Sequence, residues 1–494
     1  MDAQRWIPIR WKGGPLDLER EKSREGFSPR DAEVLAEWCQ PGSLERLAGT
    51  PVNCLVVTWG NGSSGDADQR KALAPLVAAA RNRGLAVVGW VSGTGDLRPA
   101  AQAAQTVGLA AIATDSKEPL SDADVLRFGA RGLGQRPLSS FAGDVEGVWP
   151  GIKLSRKGDA GPDADGLTGP TSAPWIDSNA WYVRLARTLL SPRAMWLAFE
   201  PPDIGGPVPA GAYVQAIADT EVFGARWLVS LDAHLRRGLS DRQASAVETW
   251  GAIGRALAFF RRHESWAAYQ PAGQIGVVSD YAGAHEFLAF ETINLLGRQS
   301  SLYQIVEKGR AIDTPLGELD AVLFADEDRP DAELTKKLYA FAEAGGTLIT
   351  QPGWEERGVP IEDDWAPRFR VSRYGQGRVA VARETLDDPR EVAEDAQLLM
   401  SHRRDRVRVF NQGTGLWHYA TSADGRAGVL HAFLFPTPYP QMPMTVWFRR
   451  PWATARLFTT ATDVPGPATR VAMDPGVEFH LSPATVYCAT EVMA

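Results

Sequence analysis

Over its first 270 residues this chain repeats one unit: a short apolar run, then a longer amphipathic segment. The runs are WIPIRW (6–11), VNCLVVTW (52–59), LAVVGWV (85–91) and LAAIAT (109–114). Weaker ones follow at 136–143 (LSSF at its centre) and 145–155 (VWPGIKL, flawed by Pro150), then MWLAF (195–199) and RWLVSL (226–231). Apolar runs of this length, bounded by turn residues, read as strands buried on both faces. Helical periodicity lies between them, as in Leu73, Leu76, Val77 and Ala80, with Gly84 placed to end that helix. A further helix is expected near 122–128, another over 178–190, and a closing one from Ser240 that carries Val247, Trp250, Ile253, Leu257 and Phe260. Eight strands alternating with helices predict an α/β fold, a (β/α)8 TIM barrel over residues 1–270. An irregular barrel or an open doubly wound sheet is the alternative.

The seventh run has an informative end. Met195 to Phe199 lead straight into Glu200, Pro201, Pro202 and Asp203. Proline cannot donate to a sheet ladder, so the strand stops there and Glu200 stands at its C-terminal end. In a parallel barrel that end is the active-site rim. A carboxylate that caps a loop or pairs with an arginine is the plain reading of the same position.

Bulk properties narrow the function. The chain is 44% hydrophobic and 23% charged, with a net charge of −8, which disfavours a nucleic-acid partner. With no apolar run of about 18 residues, a membrane span is not expected. Cys39, Cys54 and Cys488 are far apart and fit buried hydrophobes better than a disulfide or metal framework. The seven histidines do not cluster along the sequence, and there is no His-Glu-x-x-His, Walker loop, G-x-G-x-x-G after a strand or G-x-S-x-G elbow. Neither metal nor cofactor is therefore expected. The N-terminus has no apolar signal core. Localisation stays open between cytoplasmic and, had a leader been removed, periplasmic or secreted.

Chemistry by paired carboxyls remains. Glycoside hydrolysis uses one carboxyl to protonate the leaving oxygen and another to attack or to activate water. Strand-end candidates are Asp115, Asp144, Glu146, Glu200 and Asp232, with Asp177 after a glycine-rich loop and Glu118 as a substitute for Asp115. Glu200 and Asp115 are the expected catalytic pair. Asp115 also suits a helix N-cap, and Asp232, near His234 and Arg236, suits a salt-bridged rim or a substrate contact. The loop holding Trp175, Asp177 and Asn179 reads either as a sugar subsite or as a helix cap. Lys153 stands ready to contact a hydroxyl or carboxylate, and in a weaker reading as a lyase or isomerase is the base. Trp11, Trp59 and Trp90, near the ends of the first three strands, are candidates for stacking on sugar faces, although any one tryptophan is more simply a core residue.

Beyond residue 270 the pattern changes. QIGVVS (274–279), residues 301–306, AVLF (321–324) and TLIT (347–350) alternate with helices and predict a doubly wound α/β domain over 271–400. Short alternating runs from 406 to 481 predict a small antiparallel β-sandwich over 401–494. The strings AGGTLIT (344–350) and GQGRVAV (375–381) resemble the glutamine-amidotransferase-like domain of family 42 β-galactosidases, and VEFHLSPATVY (477–487) resembles the last strands of glycosidase accessory sandwiches. The order barrel, flavodoxin/amidotransferase-like domain, sandwich resembles that family over the whole chain. The resemblance implies a carbohydrate substrate and a nucleophile at Glu200. The family's Asn-Glu pair after strand four is absent, since the place reads Ala113-Thr114-Asp115-Ser116-Lys117-Glu118. No cysteine falls in 271–400, so that domain is expected to be structural, and any homo-oligomer contact is expected there. A non-catalytic carbohydrate-binding or scaffold protein on the same barrel is the competing reading.

Overall fold

The computed structural model describes residues 5–92, 98–114, 149–152, 176–190, 195–362, 364–411, 413–435, 443–483 and 485–494, and the backbone of 125–127 and 141–142. The chain is a mixed α/β protein with several sheets. It divides into two compact units. Among the described residues, one unit holds those up to Asn179 together with 195–267; the other holds Ala180–Leu190 and everything from Ala268 onward.

The first unit is built on parallel strands: β1 (Pro8–Arg10), β2 (Cys54–Gly60), β3 (Ala86–Val91), β4 (Ala111–Thr114), β5 (Val125–Arg127), β6 (Phe141–Ala142) and β7 (Trp196–Leu197). The last, β8, comes in two segments, Arg226–Trp227 and Val229–Ser230. Pairing runs in sequence order from β1 to β5 and again from β6 to β8. β8 returns to β1, with Ile9 opposite Val229. Every residue of β2 is buried, which is why its sequence is continuously apolar rather than alternating.

The helices of this unit begin on strong local signals. Helix α1 (Pro15–Lys22) follows Gly14, whose φ of 94° and close approach to the Gln69 side chain admit only glycine. Helix α2 (Pro29–Trp38) starts with a reciprocal capping box between Ser28 and Asp31. After α3 (Asp66–Asn82) and α4 (Arg98–Val107), helix α5 (Ala180–Leu190) belongs to the second unit. There Trp181 packs on Phe290, and Arg184 lies over the Tyr303 ring while donating to the Tyr303 carbonyl at 2.6 Å. Helices α6 (Ala210–Glu221), α7 (Ala233–Ser240) and α8 (Ala244–Arg262) complete the first unit.

Three expectations for strands five to seven need correction. Residues 125–127, expected as helix, form β5, and the run expected as the fifth strand contributes β6 at Phe141–Ala142. The run expected as the sixth strand leaves the parallel set altogether: Gly151–Ile152 pairs antiparallel with Ile176–Asp177. Pro150 lacks the backbone N–H that a residue inside a parallel ladder donates to its neighbour. In the seventh run only Trp196–Leu197 is in the ladder.

In the second unit, β9 (Ile275–Ser279), β10 (Tyr303–Glu307), β11 (Ala321–Phe324), β12 (Thr347–Thr350), β13 (Phe369–Tyr374) and β14 (Gly377–Ala382) form one sheet with the edge pair Val359–Pro360. Its parallel part runs β10-β9-β11-β12-β14, a doubly wound order with the reversal at β9. Val278, Val322, Phe324, Leu338 and Leu348 lie in its core. Two antiparallel sheets follow, one centred on Ala427–Leu434 and Tyr487–Met493, the other on Met444–Phe448 and Val477–Leu481. They share a core that includes Leu430, Val446, Trp452 and Phe479.

Candidate functional site

The site grows from the end of β1. Successive strand residues point to opposite faces. Ile9 and Trp11 therefore face one way and Arg10 the other. Arg10 is 6% exposed. Its Nη2 donates to Thr58 Oγ1 at 2.8 Å, and Thr58 donates to Asp17 Oδ1 at 2.6 Å. The other Asp17 oxygen accepts the Gly13 N–H at 2.8 Å. The guanidinium carbon lies 5.0 Å from the centroid of the Trp90 ring, a cation–π distance. Arg10 Nη1 is buried with no hydrogen-bond partner among the described residues. Burial pushes the Arg10 pKa down, against the opposing pull of Asp17 and Glu200.

Lys12 joins this cluster to Glu200. Its Nζ lies 2.6 Å from Glu200 Oε2 and 3.5 Å from Glu21 Oε1. Glu21, on α1, is also held by Arg236 of α7. The same Glu200 oxygen accepts from Ser230 Oγ at 3.0 Å. Burial raises the Glu200 pKa, but Lys12, Arg10 and Arg20 outweigh it and hold the carboxyl at about 2. The nearby cations thus favour the ionised form of Glu200, which suits a nucleophile; a general acid needs a raised pKa. Arg10, Arg20, Trp90, Phe199, Glu200 and Ser230 line a cavity of about 70 Å³, room for a few waters or one substituent of a sugar ring.

The other expected residues fall in different places. Trp90 lines this cavity. Trp11 and Trp59 do not: they are 1% and 0% exposed, and their indole N–H groups donate to the carbonyls of Trp38 and Ala100. Both lie on the strand face opposite Arg10 and Thr58, closed to any ligand. Asp232 is the N-cap of α7, accepting from Leu235 N at 2.9 Å and, on its other oxygen, from Tyr213 Oη at 2.8 Å. The arginine expected to pair with it, Arg236, binds Glu21 instead. Asn179 is wholly buried and donates to Asp219 Oδ2 through its backbone N–H at 2.7 Å and its side-chain amide at 2.9 Å. Ser178 donates to the other Asp219 oxygen. Burial moves the Asp219 carboxyl up to about 6, against these hydrogen bonds. Asp177 pairs through its backbone with Gly151 beside that network. Asp115, Glu118, Asp144, Glu146, Lys153 and Trp175 lie outside the described residues. The three cysteines are buried and free, and burial pushes the thiols of Cys39 and Cys488 up to about 12.

The sequence reading missed Arg10, Lys12, Arg20 and Ser230. For the first two a signal existed. In IRWK the alternation that puts Trp11 against the helices puts Arg10 toward the strand-end cavity, and Lys12 follows beyond the strand. A cation in an otherwise apolar strand marks the face that carries chemistry.

No known protein family and no curated protein matches the sequence. Solved structures do match: the chain has a distant glycoside-hydrolase resemblance. One match is the α-L-fucosidase isoenzyme 2 from Paenibacillus thiaminolyticus, 12% identical, with 99% of each chain covered and a TM-score of 0.58. Another is a family 42 β-galactosidase from G. stearothermophilus, 10% identical over 87% of this chain and 67% of that one, with a TM-score of 0.39. A rhamnosidase from Novosphingobium sp. PP1Y is 11% identical over 94% of this chain, which spans 43% of its length, with a TM-score of 0.40. What the fucosidase likeness shows is the fold.

Proposed function

We propose that this chain is a glycoside hydrolase. In this reading residues 1–270 form a closed (β/α)8 barrel, 271–400 a structural α/β domain and 401–494 a sandwich. Glu200 is the nucleophile or base. The observation that carries the reading is a glutamate paired with Lys12 just beyond the seventh of eight parallel strands among the described residues, in a cavity walled on one side by an indole ring. Its partner in this reading is a carboxyl with a raised pKa, which supplies the proton that an ionised Glu200 does not hold. Asp115, following β4, is our candidate for it. Lys12 keeps Glu200 charged and fixes its orientation, and Trp90 offers a face to a sugar ring.

The test is Glu200→Gln assayed on aryl glycosides, including α-L-fucosides, β-galactosides and rhamnosides. Wild-type turnover of one of these with a loss of about 10³-fold or more in the variant is expected for removal of a glycosidase nucleophile. Undiminished turnover by the variant would overturn the assignment. A second reading, a carbohydrate-binding protein without turnover, is favoured by one observation: among the described residues lining the cavity, Glu200 is the only carboxylate. Saturable sugar binding with no hydrolysis by the wild type would select it.

A further inference from the structure

The second unit carries a cluster that the glycosidase reading does not use. Asp280 directly follows β9, Lys308 directly follows β10, and Asp326 lies two residues beyond β11. His285 closes the short turn after Asp280. These strands are neighbours at the reversal of the doubly wound order, because the chain leaves β9 for β10 on one side and resumes at β11 on the other. The crevice outside the carboxyl ends of strands at such a reversal is where this kind of sheet binds ligands.

The donor atoms of Asp280, His285 and Asp326 all lie within 4.8 Å of one another. His285 Nδ1 is 3.1 Å from both oxygens of Asp280 and 3.7 Å from Asp326 Oδ2. Bonds of about 2.0–2.2 Å to a shared ion place neighbouring donors about 3–3.5 Å apart, so small adjustments bring all three onto one ion. Asp326 is 0% exposed. Its Oδ2 accepts from Lys308 Nζ at 2.9 Å and from the Asp280 N–H at 3.2 Å. Its Oδ1 is buried and has no hydrogen-bond partner among the described residues. A carboxylate oxygen withdrawn from water without a partner is costly, and native proteins rarely leave one so. Two carboxylates against one ammonium also leave an excess of acidic groups at the cluster.

We propose that Asp280, His285 and Asp326 bind a divalent transition-metal ion, Zn²⁺ or Mn²⁺ by the mixed imidazole and carboxylate donors. The buried Asp326 carboxylate supplies the inner ligand, and Asp280 and His285 close the site from the loop after β9. Water fills the remaining positions, as the side chain of Asp280 is 38% exposed. The ion ties the ends of β9 and β11 together, next to the Lys308 ammonium. Spacing along the sequence could not show this, because the ligands come from two strand ends separated by 46 residues.

To test it, the full chain is stripped with EDTA, desalted, and titrated separately with ZnCl₂ and MnCl₂, with metal content measured after a second desalting. About one equivalent of one of the two ions should be retained, with a rise in Tm over the stripped protein. His285→Ala and Asp326→Asn should each weaken binding by at least about tenfold. Asp280→Asn, at the more exposed ligand, keeps the test open should Asp326→Asn fail to fold. Circular dichroism of the stripped variants reports folding independently. The proposal is overturned by wild-type protein that retains neither ion. It is equally overturned by retention unchanged in a folded His285→Ala, Asp280→Asn double variant, since the ion would then be bound elsewhere.

Discussion

Replacing Lys12 with methionine tests the electrostatic core of the site without any knowledge of a substrate. Lys12 Nζ stands 2.6 Å from Glu200 Oε2. Unscreened by anything but water, that attraction is about 1.6 kcal/mol, and at an effective dielectric constant of 20 it is about 6 kcal/mol. The Glu200 side chain is 38% exposed, so screening brings the net worth toward the lower end, about 1–2 kcal/mol. The sign of the pH dependence is fixed. The folded-state pKa of Glu200 lies at about 2, below the ordinary value of 4.5. The pair therefore stabilises the fold above pH 4.5, and that contribution disappears as the pH falls toward 2. Urea unfolding of wild type and Lys12→Met at a series of pH values should show a gap of about 1–2 kcal/mol at pH 7 that narrows through this window. A gap that stays constant from pH 7 to pH 3 would refute the reasoning, since the lost stability would then come from packing of the lysine stem. Should a substrate be found, the acidic limb of kcat/KM should also move to higher pH in the variant.

Three further outcomes follow from the geometry. Trp59→Ala, at a fully buried ring whose N–H is satisfied, should cost about 3–5 kcal/mol in chemical denaturation, while Trp90→Ala should cost less and, on the proposed glycosidase reading, weaken sugar binding. Asp232→Ala removes the α7 cap and should lower stability by about 1–2 kcal/mol without the pH shift seen for Lys12→Met. Arg236→Ala leaves the buried Glu21 with Lys12, at 3.5 Å, as its one cationic partner among the described residues, and should destabilise by about 3–5 kcal/mol; a change under about 0.5 kcal/mol would mean that the Arg236–Glu21 pair is not buried in solution.

The parts legible in sequence are those where local chemistry and tertiary role agree. VNCLVVTW reads as a buried strand because both its faces are buried. Asp232 was seen as a strand-end carboxylate, but Leu235, whose N–H it caps, gives no signal of its own. Residues 125–127 read as helix because Val125, Leu126 and Phe128 fit a helical stripe as well as a three-residue strand, and only the neighbouring β4 decides between them. Trp11 and Trp59 are candidates by their place near strand ends, whereas orientation depends on strand parity, and parity points to Arg10 and Thr58. Lys12 and Glu200 stand 188 residues apart, and no local pattern announces that they meet.

Helix α5 has a consequence for how this protein can be taken apart. It is encoded between β6 and β7 of the first unit, yet its buried Val183 and Leu185 belong to the second. No single cut in the gene separates the two units. A fragment ending at residue 267 would carry an orphan helix with an apolar side open to water, prone to self-association. A fragment beginning at 268 would leave Phe290 and Tyr303 uncovered. During synthesis α5 must wait until residue 303 has left the ribosome, more than 110 residues later, before it can dock. Within that interval the growing chain is open to misassembly and to chaperones, and the helix is the natural place to look when fragments of this protein fail to stay in solution.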